Sequence, residues 1–244
     1  VSNNQADSHG GGVYVQSFSG REHKVLFNNV TFDSNTASAE AANDRDGGGF
    51  YLTGSDADVE MNTVTFQDNS TGDIGGGMLI TGARNMITID NGTFVRNSAV
   101  DGGGFATDGH LLDITINNST IGGADDGGAA GAFARVDGNN ANDEGGGFAI
   151  RSDNSTITLN NTAITGNFAA DGGGGFRHEG YNTTTLTING GQINKNVSTT
   201  EHGGGFRSDS TTTIIGATIT ENEARANNQD GGAFSSFQRG VVTL

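Results

Sequence analysis

The sequence predicts an all-β protein, a parallel β-helix (β-solenoid) of about eight coils with three short strands per coil, formed as a single domain over residues 1–244. Three observations predict it. A Gly-Gly-Gly-apolar tetrapeptide recurs along the whole chain, an eleven-residue block of fixed pattern recurs between the copies, and apolar residues inside each block alternate with period two. Period two calls for strands, and a repeat too short to bury its own apolar side needs neighbours stacked on it.

The tetrapeptide starts at Gly10, Gly47, Gly75, Gly102, Gly145, Gly173 and Gly203, and once more as Gly231-Gly232-Ala233-Phe234. The block has the form apolar-x-apolar-(Asn/Asp)-x-x-x-(Phe/Ile)-x-x-Asn, as in Val25 to Asn35, Val59 to Asn69 and Ile157 to Asn167. Its two halves are read as strands flanking a corner, and the residues after the glycines as the third strand. Stacking places like residues in register, so Asn4, Asn35, Asn69, Asn97, Asn167, Asn196 and Asn222 should form an amide ladder, with Asn supplying the left-handed bend of its corner. A second polar column is expected through Asn28, Asn62, Asp90, Asn117, Asn160 and Asn189. Ala124 breaks the first column. Just after it, residues 125–144 form the longest excursion from the repeat, read as a loop insertion; the segment 36–46 is the next longest of its kind.

Composition agrees. Glycine supplies 42 of 244 positions and only 32% of residues are hydrophobic, which argues against an ordinary globular core. There is no Pro, as a ladder needing every N–H requires. With no Cys, disulfide frameworks, thiolate metal sites and thiol catalysis are excluded. A net charge of −16 disfavours nucleic acid and anionic membrane as partners. No apolar run approaches the roughly 20 residues that span a bilayer, so no membrane insertion by this segment is expected. The chain opens at Val1 with no leader-like segment and reads as a mature or excised piece, and its excess of Asp over Glu with few Lys fits an extracellular setting.

The pairing of the glycine motif with Phe-x-x-Asn, at Phe32–Asn35, Phe66–Asn69 and Phe94–Asn97, and with Ile for Phe at Ile164, Ile193 and Ile219, resembles the repeats of the polymorphic outer membrane proteins, a family of autotransported adhesins. That family usually writes GGA followed by Ile, Leu or Val, where this chain writes GGG followed by Phe. The resemblance implies a right-handed β-helix passenger that is secreted or held at the cell surface, with adhesion as its task. Its partners would be host or cell-surface glycans or proteins. Separately, no cap is visible in the sequence at either end, so either the chain is a segment of a longer passenger or further copies stack on it end to end into a filament.

Candidate chemistry lies on the strand after the glycines. If the residue after the last glycine points inward, Arg151, Arg177, Arg207, Asp108, Glu179 and Asp209 share one outward face over four coils. Such a face suits a sugar acid or acid/base chemistry in a carbohydrate-active β-helix of the polysaccharide lyase or hydrolase type, or a glycan-binding module. A solvated salt-bridge ladder is the plainer alternative. His178 falls on the inward column between Arg177 and Glu179. Carboxylates before the glycines, Asp46, Asp101, Glu144 and Asp230, together with Asp143, offer oxygen ligands for calcium, but Ala141 stands where a calcium loop wants Asp or Asn. Such a carboxylate equally accepts the N–H groups of the glycines that follow it. No catalytic residue and no cofactor is assigned. The sequence thus favours a non-catalytic structural or adhesive rod over the carbohydrate-active enzyme.

Overall fold

The computed structural model describes residues 1–21, 23–38, 47–123, 137–225, 231–237 and 240–244, and over them the chain is a parallel β-helix built of strands and turns. Neighbouring coils pair parallel and in register: Thr158, for instance, lies between Thr115 and Thr187. Three sheets result. One runs from Val13–Gln16 to Phe234–Ser236 and holds the strands that follow the glycines. A wide sheet of thirteen strands holds both halves of the eleven-residue block.

The third sheet went unread in the sequence. It consists of eight two-residue strands, from Gln5–Ala6 to Glu223–Ala224, each directly after a ladder position. Two residues are too few to show a period. Their inward residues Ala37, Ala99, Ala141, Ala169 and Ser198 are buried, small enough for the tight corner.

The wide sheet bends at one left-handed residue per coil, or at two where Gly190 and Gly191 make the turn. The strands His23–Asp33 and Ala57–Gln67 pass unbroken through Asn29 (φ 52°) and Thr63 (φ 54°), and later coils break into two strands at Asn91, Asn118 and Asn161. At the ladder corner the left-handed residue is the one before the asparagine: Ser34, Asp68, Arg96, Lys195 and Glu221 have φ of 54–55°. The expectation that the ladder asparagine takes the bend is therefore corrected. Its side chain is needed inside the coil, and its N–H donates to the next amide, as Asn35 N to Asn69 Oδ1 at 3.0 Å.

The ladder runs from Asn4 to Asn222. Each Nδ2 from Asn69 to Asn196 donates twice, to the Oδ1 of the next asparagine at 3.0 Å and to a carbonyl in the preceding coil, as Asn167 does to Asn196 Oδ1 and to Ile121 O. The gap left at Ala124 is filled by Asn139, which joins Asn97 to Asn167. Asn139 to Glu144 thus belong to the coil, and the excursion expected over 125–144 lies ahead of the ladder residue; residues 124–136 are outside the described part. The outer polar column also forms, half-buried, with Asn160 Nδ2 to Asn117 Oδ1 at 2.8 Å and Asn189 Nδ2 to Asn160 Oδ1 at 2.9 Å.

Inside, Phe32, Phe66 and Phe94 stack at 4.5 and 4.8 Å below the ladder. On the opposite wall Phe105, Phe148, Phe176, Phe206 and Phe234 stack at 4.6–4.9 Å, while the ladder side continues with Ile121, Ile164 and Ile193. The two sequence motifs meet across this corner. A Cβ on Gly147 would stand 2.5 Å from the Gly175 carbonyl and 3.0 Å from Asn167 Nδ2, so the last glycine of the triplet is the space the asparagine occupies.

Candidate functional site

The strand after the glycines alternates as expected, but its outward face is largely roofed. Tyr14 is exposed, whereas Tyr51, Leu79, Ala106, Ala149 and Arg177 are buried. Tyr51, Leu79, Ala106 and Ala149 form a second apolar cluster outside the lumen, together with Ile74 from the segment that leads into Gly75. In later coils the same roofing position carries charge. Asp101 and Glu144, which precede the glycines of their coils, fold back over the strand and meet the arginines.

Arg177 is the centre of this arrangement. Only 3% of its side chain is exposed; its Nε lies 3.0 Å from Glu144 Oε2 and its Nη2 2.7 Å from Asp209 Oδ2. Arg151 pairs with Asp101 at 2.9 Å and Arg207 with Glu144 at 3.3 Å and with Glu201. Glu179 lies 3.8 Å from both Arg151 and Arg177. The structure thus brings Arg151, Arg177, Arg207, Glu179 and Asp209 together, with Asp108 one coil before Arg151, whose N–H donates to Thr107 O. What the sequence missed is Glu144 in the middle, whose role was read as a corner ligand. The signal was the spacing: Glu144 sits immediately before Gly145 and three residues past the inward Ala141, with Asn142 exposed between them, and its side chain leaves the corner toward the glycine-strand face.

Burial sets the electrostatics. It pushes the Asp101 and Glu144 carboxyls above their ordinary range, with the neighbouring arginines pulling the other way. Asp171, beside Glu201 and Asp143, is raised too, again chiefly by burial. His178 is wholly buried in the lumen, where burial and then the Arg177 charge hold its pKa down to about 3. It is the neutral form that meets Thr212 Oγ1 at 2.8 Å. Arg177 Nη1, Arg207 Nε, Asp209 Oδ1 and His178 Nε2 are buried without a hydrogen-bond partner.

For calcium, Asp101 spends its oxygens inside the protein: Oδ1 accepts the Glu144 N–H at 2.9 Å and Oδ2 meets Arg151. It does not accept its own glycines. Asp143 and Glu144 flank the same corner, and among the described residues no group of three or more His, Asp or Glu is arranged to hold a metal. Asp46 and Asp230, and most of the 36–46 segment, lie outside the described residues.

Beside the cluster the surface opens. A cleft of about 300 Å³ is lined by Glu179, Gly180, Tyr181, Asn182, Asp209, Ser210 and Thr211. A shallower hollow of about 410 Å³ follows the bend of the wide sheet past Asn118, Asn161 and Gln192. No protein-family model matches this chain, nor does any curated protein or any solved structure.

Proposed function

We propose that the chain is a non-catalytic rod of an extracellular or cell-surface protein, holding a recognition surface at fixed spacing on a stiff axis. The observation that carries this reading is Arg177, clamped between Glu144 and Asp209 with 3% of its side chain exposed. An arginine so engaged ties three successive coils together laterally and is withdrawn from any substrate. The unbroken amide ladder and the stacked rings supply the stiffness along the axis. Location and adhesion rest on the resemblance of the repeats, and partners under this reading are surface glycans or proteins, or further copies of the chain.

The test is retention of beads coated with the 1–244 chain on extracellular-matrix proteins and on cell surfaces, run beside a polysaccharide cleavage assay. Retention without release of sugar ends is the expected result. Cleavage that disappears in Glu144→Gln would replace the rod with the carbohydrate-active enzyme.

A further inference from the structure

The cleft next to Arg177 exists because the chain is shorter there. His178 is in register with Ser208 and Thr185 with Thr211. Between those pairs one coil spends six residues, 179–184, and the next spends two, Asp209 and Ser210. The longer corner overhangs the shorter one and leaves the recess beneath it.

The overhang is fixed in place. Thr184 N donates back to Tyr181 O at 3.1 Å, Thr184 Oγ1 donates to Ser152 O at 2.9 Å, and Ser210 Oγ donates to Thr184 O at 3.1 Å. Gly180 is required, since a Cβ there would come within 2.5 Å of Thr184 Cγ2 and 2.8 Å of His178 Nε2. This anchoring holds Tyr181 out at the rim, 54% exposed, with Asn182 beside it donating to Asp153. On the opposite wall, Asp209 gives Oδ2 to Arg177, and its Oδ1 is buried without a hydrogen-bond partner.

From this geometry we infer that the recess binds a neutral sugar, one or two pyranose rings long. An aromatic face at the rim takes the apolar C–H side of a pyranose, as Tyr does when one end must be apolar and the other wet. The carboxylate of Glu179, about a third exposed, accepts from sugar hydroxyls, a charge-assisted bond stronger than a neutral one. About 300 Å³ is the lower end of ligand-pocket size and admits a mono- or disaccharide unit. The lining holds two carboxylates and no cation, and Arg151 and Arg177 beside it are already paired with carboxylates, so in a chain of charge −16 nothing here receives a uronate or a sulfated sugar, and the ligand class is opposite to that expected of an acidic-polysaccharide enzyme. The inference deepens the rod reading by naming what one of its surfaces holds.

Calorimetric titration of the intact chain with neutral glucose, galactose and mannose trisaccharides, with trigalacturonate as comparator, tests it. We expect at least one neutral trisaccharide to bind with a dissociation constant in the millimolar range or tighter, and trigalacturonate to bind more weakly. Tyr181→Ala and Glu179→Gln should each weaken that binding about tenfold, roughly 1.4 kcal/mol, with the urea midpoint unchanged. No binding by any neutral trisaccharide, tighter binding of trigalacturonate, or unaltered binding by both variants overturns the inference. Sugar binding by a chain whose coated beads do not adhere would support the cleft while refuting the rod, so the two failures are separable.

Discussion

Replacing Asn167 by Ala probes the main axial support. In the intact chain its Nδ2 donates to Ile121 O at 2.9 Å and Asn196 Oδ1 at 3.0 Å, and its Oδ1 accepts from Asn139 N at 3.2 Å and Asn139 Nδ2 at 3.0 Å. Truncation strands two buried donors, the Asn139 N–H and one proton of the Asn139 amide, and takes one of two bonds from the Ile121 carbonyl, which stays in its strand ladder. The Asn196 oxygen keeps the bond from Asn167 N at 3.0 Å. Each stranded group costs roughly 1–3 kcal/mol. Taken at the low end, because losses in one network do not add fully, the total is about 2–4 kcal/mol. Urea unfolding followed by circular dichroism reads this as a drop in midpoint. Because coil stability is a sum of local and nearest-neighbour contributions, a second transition is expected as coils on either side of Asn167 uncouple. Asn160→Ala in the half-buried outer column, which removes bonds of 2.8 and 2.9 Å in partial contact with water, should cost less than about 1 kcal/mol. If Asn167→Ala costs no more than Asn160→Ala, the ladder is a consequence of stacking and not a cause of it, and the argument fails.

Three further outcomes follow from the same structure. The His178 pKa is depressed from 6.5 to about 3, so its contribution is complete above pH 6.5 and is lost as pH falls toward 3, on the order of 2 kcal/mol between pH 6.5 and 4.5; His178→Ile, matching Ile150 in register, should flatten that part of the stability–pH curve. Arg177→Met leaves Asp209 buried without its cation and Glu144 with Arg207 as its nearest one, and should cost about 3 kcal/mol at pH 7. Since the Glu144 pKa is already raised by burial, removing the arginine raises it further, and the deficit relative to the parent should shrink between pH 7 and 5; an equal deficit at both would argue against a charge effect. Gly147→Ala should destabilise by about 2 kcal/mol or more, because both the Gly175 carbonyl and Asn167 must move, and a neutral result in the urea midpoint would contradict the close approach.

The fold was legible because the lumen repeats every coil and its demands repeat with it: Phe94 and Ile121, or Phe148 and Phe176, occupy one register position, and period two reveals the strands on either side. Asn139 was missed because 124–136 interrupts the block ahead of it. Counting back from Gly145 would have found it, since Asn69 and Asn167 likewise stand six residues before Gly75 and Gly173. The left-handed residue ahead of each ladder asparagine was hidden by its variety, being Ser, Asp, Arg, Lys or Glu; its side chain points to water and its identity is free. The charged face was predicted residue by residue, but its burial was not. Alternation tells which side of a strand a residue faces, and only the return path of Ile74, Asp101 and Glu144 tells whether that side meets solvent. The cleft at Tyr181 is visible in the sequence only as a difference in length between two neighbouring corners.

The entry of Asn139 into the ladder after a long interruption has an engineering consequence. Amide bonding resumes at 3.0 Å on both sides of it, and Ala141 pairs with Ala99 and Ala169 as though nothing had intervened. The junction between Gly123 and Asp137 is thus a port at which foreign sequence can be spliced without disturbing register upstream or downstream. A peptide grafted there would be carried at a defined height on the shaft, and grafts at the equivalent junction of other coils would be spaced in steps of about 4.8 Å. The molecule offers, in effect, a ruler with addressable marks.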